Sequence, residues 1–327
     1  MHKDLPRRDS SVGGPTETSA DTKLDQRLQQ AVVSTLAFFA LYELPLSSRR
    51  VHELLLEQIA TLPQVEQALA GLVLDQKVIQ AGNLYSVKAW RSSAYQANQA
   101  VLAEKWAKID QYFHWLAVLP FVRSVAVINS LALGTADGDS DIDFFVIAKH
   151  RRLYFVRSLI IVLFRLLGVY KTRQKIKDKF CFGFFVTPRH LNFEPLLISP
   201  ADPYFMFWLA SMRPVTGARY YWQLMQQNQW LTGYFPNFKP MARLSSVRRS
   251  ELLVSVIKFL LETILWLPAA LAEPILRRIH IRHTFKLAEN NTVTSSTIAN
   301  ASMLKLHGYD VRAEVAQAYE RLLHNLG

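Results

Sequence analysis

The 327-residue sequence has a single cysteine, Cys181, which excludes an internal disulfide framework and a zinc centre built from cysteines. It also lacks any charge-free apolar run of about 20 residues, the length a membrane-spanning helix needs. Of the two longest apolar stretches, Leu153–Tyr170 is broken by Arg157 and Arg165. The other, Leu252–Leu276, contains Lys258, Glu262, Pro268 and Glu273. Both are expected as buried or interfacial helices. Residues 1–23 have no apolar core of the kind a secretory signal carries. They read as a disordered tail, and a cytoplasmic location is expected. There is no P-loop (G-x-x-x-x-G-K-[ST]), no nucleophile elbow (G-x-S-x-G) and no H-E-x-x-H zinc motif.

Acidic residues are scarce in one place above all. Between Lys149 and Arg189, eleven Lys and Arg stand against one acid, Asp178, a net +10 in 41 residues. The whole chain carries +12, so the remaining 286 residues are close to neutral. The protein is thus a near-neutral body with one basic segment, suited to drawing a polyanion towards a local site. Half of the residues are apolar and 12% aromatic, ample for a core. At roughly 100–200 residues per domain, the length predicts two or three domains.

Helical spacing predicts a first helix over Asp25–Leu41, a second over Arg49–Gln58 capped by Ser47 or Ser48, and a third over Pro63–Asp75. Two strand-like runs, Lys77–Gln80 and Leu84–Lys88, follow around Ala81-Gly82-Asn83. Three helices and a hairpin make a winged-helix-like pattern over residues 24–95, which suits nucleic acid or a partner protein. The third helix carries Glu66 and Asp75 and no base before Lys77, which counts against groove reading. A linking helix is expected at Ala97–Leu119. Residues 96–200 then alternate strand, loop and helix, and residues 201–327 read as a helical C-terminal domain.

The segment from Ser124 to Lys149 carries the chemistry. Ser124–Ile128 and Ile142–Ala148 are strand-like, and a turn at Asn129-Ser130, a short helical run to Gly134 and a polar loop lie between them. Asp141 and Asp143 sit at i and i+2, on one face of a strand. Two converging carboxylates repel unless a cation lies between them, and oxygen ligands of this kind suit Mg²⁺. A solvated acidic loop is the plain alternative. An EF-hand loop starting at Asp137 is excluded, because Ile142 stands where Gly is needed and Ala148 where Glu is needed. Cys181, inside an apolar strand pattern over Phe180–Val186, reads as a buried inert thiol.

The strand, the small-residue turn with Ser130, the short helix ending at Gly134 and the run Ser140-Asp141-Ile142-Asp143 resemble the polymerase-β-type nucleotidyltransferase superfamily. With the runs before and after them, they resemble an uncharacterised bacterial group of such proteins. The resemblance implies an α+β fold, with a mixed β-sheet, flanking helices, the N-terminal winged-helix-like domain and a helical C-terminal region. It implies that Asp141 and Asp143 hold Mg²⁺ or Mn²⁺, and that Asn129, Ser130 and the backbone up to Gly134 face the phosphates. Lys149, Arg151 or Arg152 would neutralise a nucleoside triphosphate, and a nucleoside monophosphate would pass to an acceptor hydroxyl with release of pyrophosphate. Two departures stand out. Asn129 replaces the usual first glycine of the turn, and the later strand Phe180–Val186 has no third carboxylate, leaving Asp178 or Glu194 as the nearest candidates. The alternatives are a non-catalytic nucleotide-binding protein of the same fold and a winged-helix nucleic-acid-binding regulator.

Overall fold

Helical periodicity dominates both ends of the chain and short apolar runs its middle, and the computed structural model follows that division into a mixed α+β fold. The structure describes residues 17–198, 202–240, 251–289, 297–306 and 310–326. The N-terminal part comprises α1 (Glu17–Ala40), β1 (Leu46–Ser47), α2 (Ser48–Glu53), α3 (Leu62–Leu74), β2 (Ile79–Ala81) and β3 (Leu84–Ser86). The link α4 (Ser92–Gln111) and α5 (Phe113–Val118) leads to β4 (Val122–Val127), α6 (Asn129–Leu133), β5 (Ile142–Ala148), α7 (Leu153–Leu166) and β6 (Phe180–Val186). Next come α8 (Pro203–Ser211), β7 (Arg213–Thr216), α9 (Ala218–Gln227) and α10 (Trp230–Tyr234). The chain closes with α11 (Glu251–Ile264), α12 (Trp266–Glu289), β8 (Ile298–Ala299), β9 (Met303–Lys305) and α13 (Arg312–Leu326).

Local chemistry sets several of these boundaries. Ser47 accepts from the Arg50 N–H and starts α2. Thr61 and Gln64 form a reciprocal capping box at α3, whose first turn also holds Pro63. The expected tail is shorter than residues 1–23 suggest, because α1 already includes Glu17; residues 1–16 lie outside the described part. Strands β1, β3 and β2 form a small antiparallel sheet in that order.

The larger sheet has the order β7-β4-β5-β6-β9-β8, with β5 and β6 parallel and the other pairs antiparallel. The C-terminal region expected to be helical also contributes strands to this sheet. β7 pairs with β4 and β9 with β6, so residues beyond 201 complete the sheet on both sides. These strands are two to four residues long, too short for alternation to reveal them.

Each face of the sheet is covered. On one side Ala126, Phe145, Phe184 and Val186 join a core that runs from α1 through α8 to α13, in which Phe38 stacks on Phe207 at 4.1 Å. On the other side Val125, Phe144, Val146 and Phe182 pack with α7 and with Ala269 of α12. Strand β5, buried on both faces, accordingly reads as a nearly continuous apolar run. No single described helix is long and apolar enough to cross a membrane. The pair Leu252–Ile264 and Trp266–Phe285 reaches that length and composition together but is bent by 67°.

Candidate functional site

The site forms where β4 ends and β5 and β6 begin. The Ile128 N–H bonds the Asp143 carbonyl, which places Asn129 directly beside Asp143. Asn129 adopts a left-handed conformation with φ of 57°, which Asn tolerates better than most residues. Its side chain is fully used. Nδ2 donates to Asp143 Oδ2 at 2.9 Å, and Oδ1 accepts from Trp208 Nε1 at 2.8 Å. A glycine would permit the turn but could supply neither bond.

The parallel register pairs Asp143 with Cys181. Asp141, Asp143 and Cys181 each offer a ligand atom, and these atoms lie within 4.8 Å of one another. This group could hold a metal ion. A bulge near Gly183 lets Phe184, rather than Gly183, share the core face with Phe145. Cys181 is therefore the residue of β6 that meets the carboxylates.

Electrostatics mark the place. Burial, followed by the Asp141 carboxylate, pushes the Asp143 carboxyl up to about 6, against the hydrogen bond from Asn129. Burial and the neighbouring Asp143 push the Cys181 thiol well above its ordinary value, so it stays protonated beside the carboxylates. The cation in place is Lys171, whose ammonium pairs with Asp141 Oδ2 at 2.5 Å. Burial alone would lower Lys171, but Cys181, Asp141 and Asp143 outweigh it and hold it above the usual lysine value. The Lys171 N–H bonds the Phe180 carbonyl, which ties this lysine to the start of β6.

Other expected residues fall elsewhere. Lys149 and Arg151 follow the far end of β5, roughly 20 Å from Asp143 at the rise of an extended strand. There Lys149 lies over the Phe121 ring, and Arg152 donates to the Trp266 carbonyl. The structure thus does not bring these cations to the carboxylates. Asp178 is committed to Lys105, whose buried ammonium also donates to the Ser140 carbonyl at 2.7 Å. Glu194 is exposed in a short turn, and neither acid joins the Asp141–Asp143–Cys181 group. Ser130 is half-buried in α6, and its carbonyl accepts from the N–H groups of Gly134, Thr135 and Ala136. The Gly134 N–H is therefore used internally, and Gly134, with φ of 91°, ends α6 in the left-handed conformation.

Of the remaining loop acids, Asp137 organises the turn by accepting from Asp139 and Ser140, and Asp139 is exposed. A cleft of about 420 Å³ opens beside this loop, lined by Gly134, Asp137, Gly138, Arg91, Tyr95 and Tyr42. Burial pushes the Tyr42 hydroxyl up to about 12. Burial, then Tyr42 and Asp143, raises the Tyr204 hydroxyl as well.

Lys105 and Trp208 escape a reading of the sequence. Lys105 sits in a polar helix where a lysine looks solvated, and Trp208 lies in a uniformly apolar one. Lys171 and Cys181 are visible as residue types, but their meeting with the carboxylates depends on strand register. No protein-family model, curated protein or solved structure matches the chain.

Proposed function

We propose that the chain is a nucleotidyltransferase of the polymerase-β type, with the winged-helix-like unit at its N-terminus, that binds a nucleoside triphosphate together with Mg²⁺ or Mn²⁺ at Asp141 and Asp143. The observation that carries this reading is the convergence of these two carboxylates at the start of β5, beside the left-handed turn at Asn129. The donor set fits a hard divalent ion through its carboxylate oxygens, with nucleotide oxygens and water completing the shell. Its third member fits less well, because a neutral thiol is a poor ligand for such an ion. When bound, the ion would supply charge neutralisation at the reacting phosphoryl group.

This chain's own residues would position the rest. Asn129 and Trp208 orient Asp143 through successive hydrogen bonds. Lys171, paired with Asp141 when no ion is present, would turn its ammonium to the phosphates when Asp141 engages the ion. The cleft beside Gly134, with Tyr42, Tyr95 and Arg91, would receive the nucleoside or the acceptor. In the reaction, an acceptor hydroxyl oxygen would form a bond to the α-phosphorus as the bond to pyrophosphate breaks. The hydroxyl proton would leave to water, since Asp178 is held by Lys105.

Cys181 favours a second reading, nucleotide binding without efficient transfer, because it occupies the position across from Asp143 where a third carboxylate would activate the hydroxyl. Incubation with α-labelled nucleoside triphosphates and Mg²⁺ or Mn²⁺ separates the two. Transfer or pyrophosphate release abolished by Asp141→Asn and Asp143→Asn supports the enzyme. Metal-dependent nucleotide binding without turnover supports the second reading, and turnover indifferent to both substitutions sinks the first.

A further inference from the structure

Helix α11 directs polar side chains at the protein and apolar ones outwards, and α12 turns Glu273, His280 and Ala269 inwards while keeping an exposed apolar row. On α11, Lys258 donates to the Val122 carbonyl, and Glu262 accepts from the Phe121 N–H and both ends of the Arg123 guanidinium. On α12, Glu273 accepts from the Tyr154 and Phe155 N–H groups at the start of α7, and His280 meets Arg157 and Ser158. The opposite side of α11 exposes Leu252 (81%), Phe259 (69%) and Ile264 (70%). Along α12, Leu267, Leu271, Ile275 and Ile279 recur every four residues, and all are exposed. Trp266 stands exposed at the bend between the helices. Apolar surface this extensive on a soluble face marks an interaction site.

The charges at its edge specify what covers it. Arg278 and Arg282 are exposed on α12, flanking Ile279 at the C-terminal end of the stripe. Among residues 252–285 the two carboxylates, Glu262 and Glu273, are both engaged inwards. The outward face is thus apolar and cationic, without a described acid. A second copy meeting it symmetrically would bring the same apolar and cationic groups and no described acid to pair with the arginines. An anionic surface with an apolar interior matches it instead. Aliphatic side chains enter the acyl boundary, Trp266 sits at headgroup level, and the arginines meet lipid phosphates.

We propose that α11 and α12 dock this protein on the surface of a bilayer containing anionic lipid, lying in the interface without crossing it. The inference is independent of the chemistry at Asp141 and Asp143. It is compatible with that site, because Asp143 shares its sheet face with Phe145, in the core opposite the one that α7 and Ala269 of α12 cover. Docking leaves the carboxylates on the side of the sheet away from the lipid.

Sedimentation of the full chain with vesicles tests this, using phosphatidylcholine alone and phosphatidylcholine mixed with phosphatidylglycerol. The wild type is expected to sediment with the mixed vesicles, more weakly with the neutral ones, and less as salt is raised. Phe259→Glu with Leu271→Glu should abolish sedimentation. Arg278→Gln and Arg282→Gln should each weaken binding to the mixed vesicles by about fivefold and leave binding to neutral vesicles unchanged. The altered side chains are exposed, so circular dichroism should show an intact fold; if the glutamate pair unfolds the protein, the arginine variants and the salt series still decide. Wild type left in the supernatant with both vesicle types overturns the proposal. So does equal affinity for both lipids, or a solution dimer that Phe259→Glu dissociates and vesicles do not bind.

Discussion

Cys181 stands opposite Asp143 in the parallel pairing of β5 and β6, and its Sγ lies within 4.8 Å of the Asp143 and Asp141 carboxylate oxygens. A strand that reads as plain apolar core therefore supplies one polar group, at the single position where it meets the acidic pair. A neutral thiol there adds neither charge nor a hard ligand, so the repulsion within the pair is offset by the Lys171 ammonium at Asp141 and the Asn129 hydrogen bond to Asp143.

Replacing that thiol with a carboxylate changes this balance. Cys181→Asp is expected to tighten Mg²⁺ or Mn²⁺ binding by about tenfold, roughly 1.4 kcal/mol, and to raise any nucleotidyl transfer. It should lower the melting temperature without metal, because three carboxylates then share the site. Calorimetric titration with each ion, beside melting curves with and without it, measures both effects. Unchanged metal affinity would show that position 181 does not face the bound ion.

Asp143 also makes stability depend on pH. Its folded carboxyl lies near 6 against an ordinary value of 3.8, so between about pH 4 and 6 the folded state holds more protons than the unfolded one. The stabilising contribution is complete below pH 4 and is lost as pH rises through 6. Asp143→Asn should therefore be more stable than wild type at pH 7, with the gap closing towards pH 4 in chemical denaturation. Saturating divalent ion should raise the melting temperature of wild type and leave that of Asp143→Asn almost unmoved.

Asn129 tests the other side of the site. Asn129→Gly relieves a left-handed conformation, worth about 1–2 kcal/mol. It also leaves Trp208 Nε1 and Asp143 without their partner, at about 1–3 kcal/mol for each buried group. Net destabilisation is expected from Asn129→Gly, and more from Asn129→Ala, which keeps the strained φ. Equilibrium urea unfolding ranks the three proteins, and a Gly variant as stable as wild type would show the hydrogen-bonded chain to be dispensable.

The contact between α12 and α7 has its own pH response. Burial, then Arg157 and His283, lowers the His280 ring to about 4 from 6.5, so it is neutral in the fold. Its contribution is present above about pH 6.5 and is lost as pH falls towards 4, where the unfolded chain binds the proton and the folded one resists it. Thermal melts between pH 7 and 4.5 should fall more steeply for wild type than for His280→Gln. Parallel slopes would place the titration elsewhere.

Local patterns went a long way in this chain. Spacing of two on an apolar strand put Asp141 and Asp143 on one face, and Ser47 announced the start of α2. The break in the apolar run at Asn129-Ser130 marked the turn there. Side-chain period and backbone preference belong to single elements, so a linear string carries them. The register that set Cys181 against Asp143, the burial of Lys105 against Asp178, and the reach of Trp208 into the site belong to pairs of elements distant in the chain. Backbone ladders and packing choose those pairings together, and a shift of one residue would have turned a different face to the acids. The same division holds at α11. Its sequence defines an apolar and a polar side, but Arg123 and the Phe121 N–H, far away in the chain, drew Glu262 inwards and left the apolar side facing out.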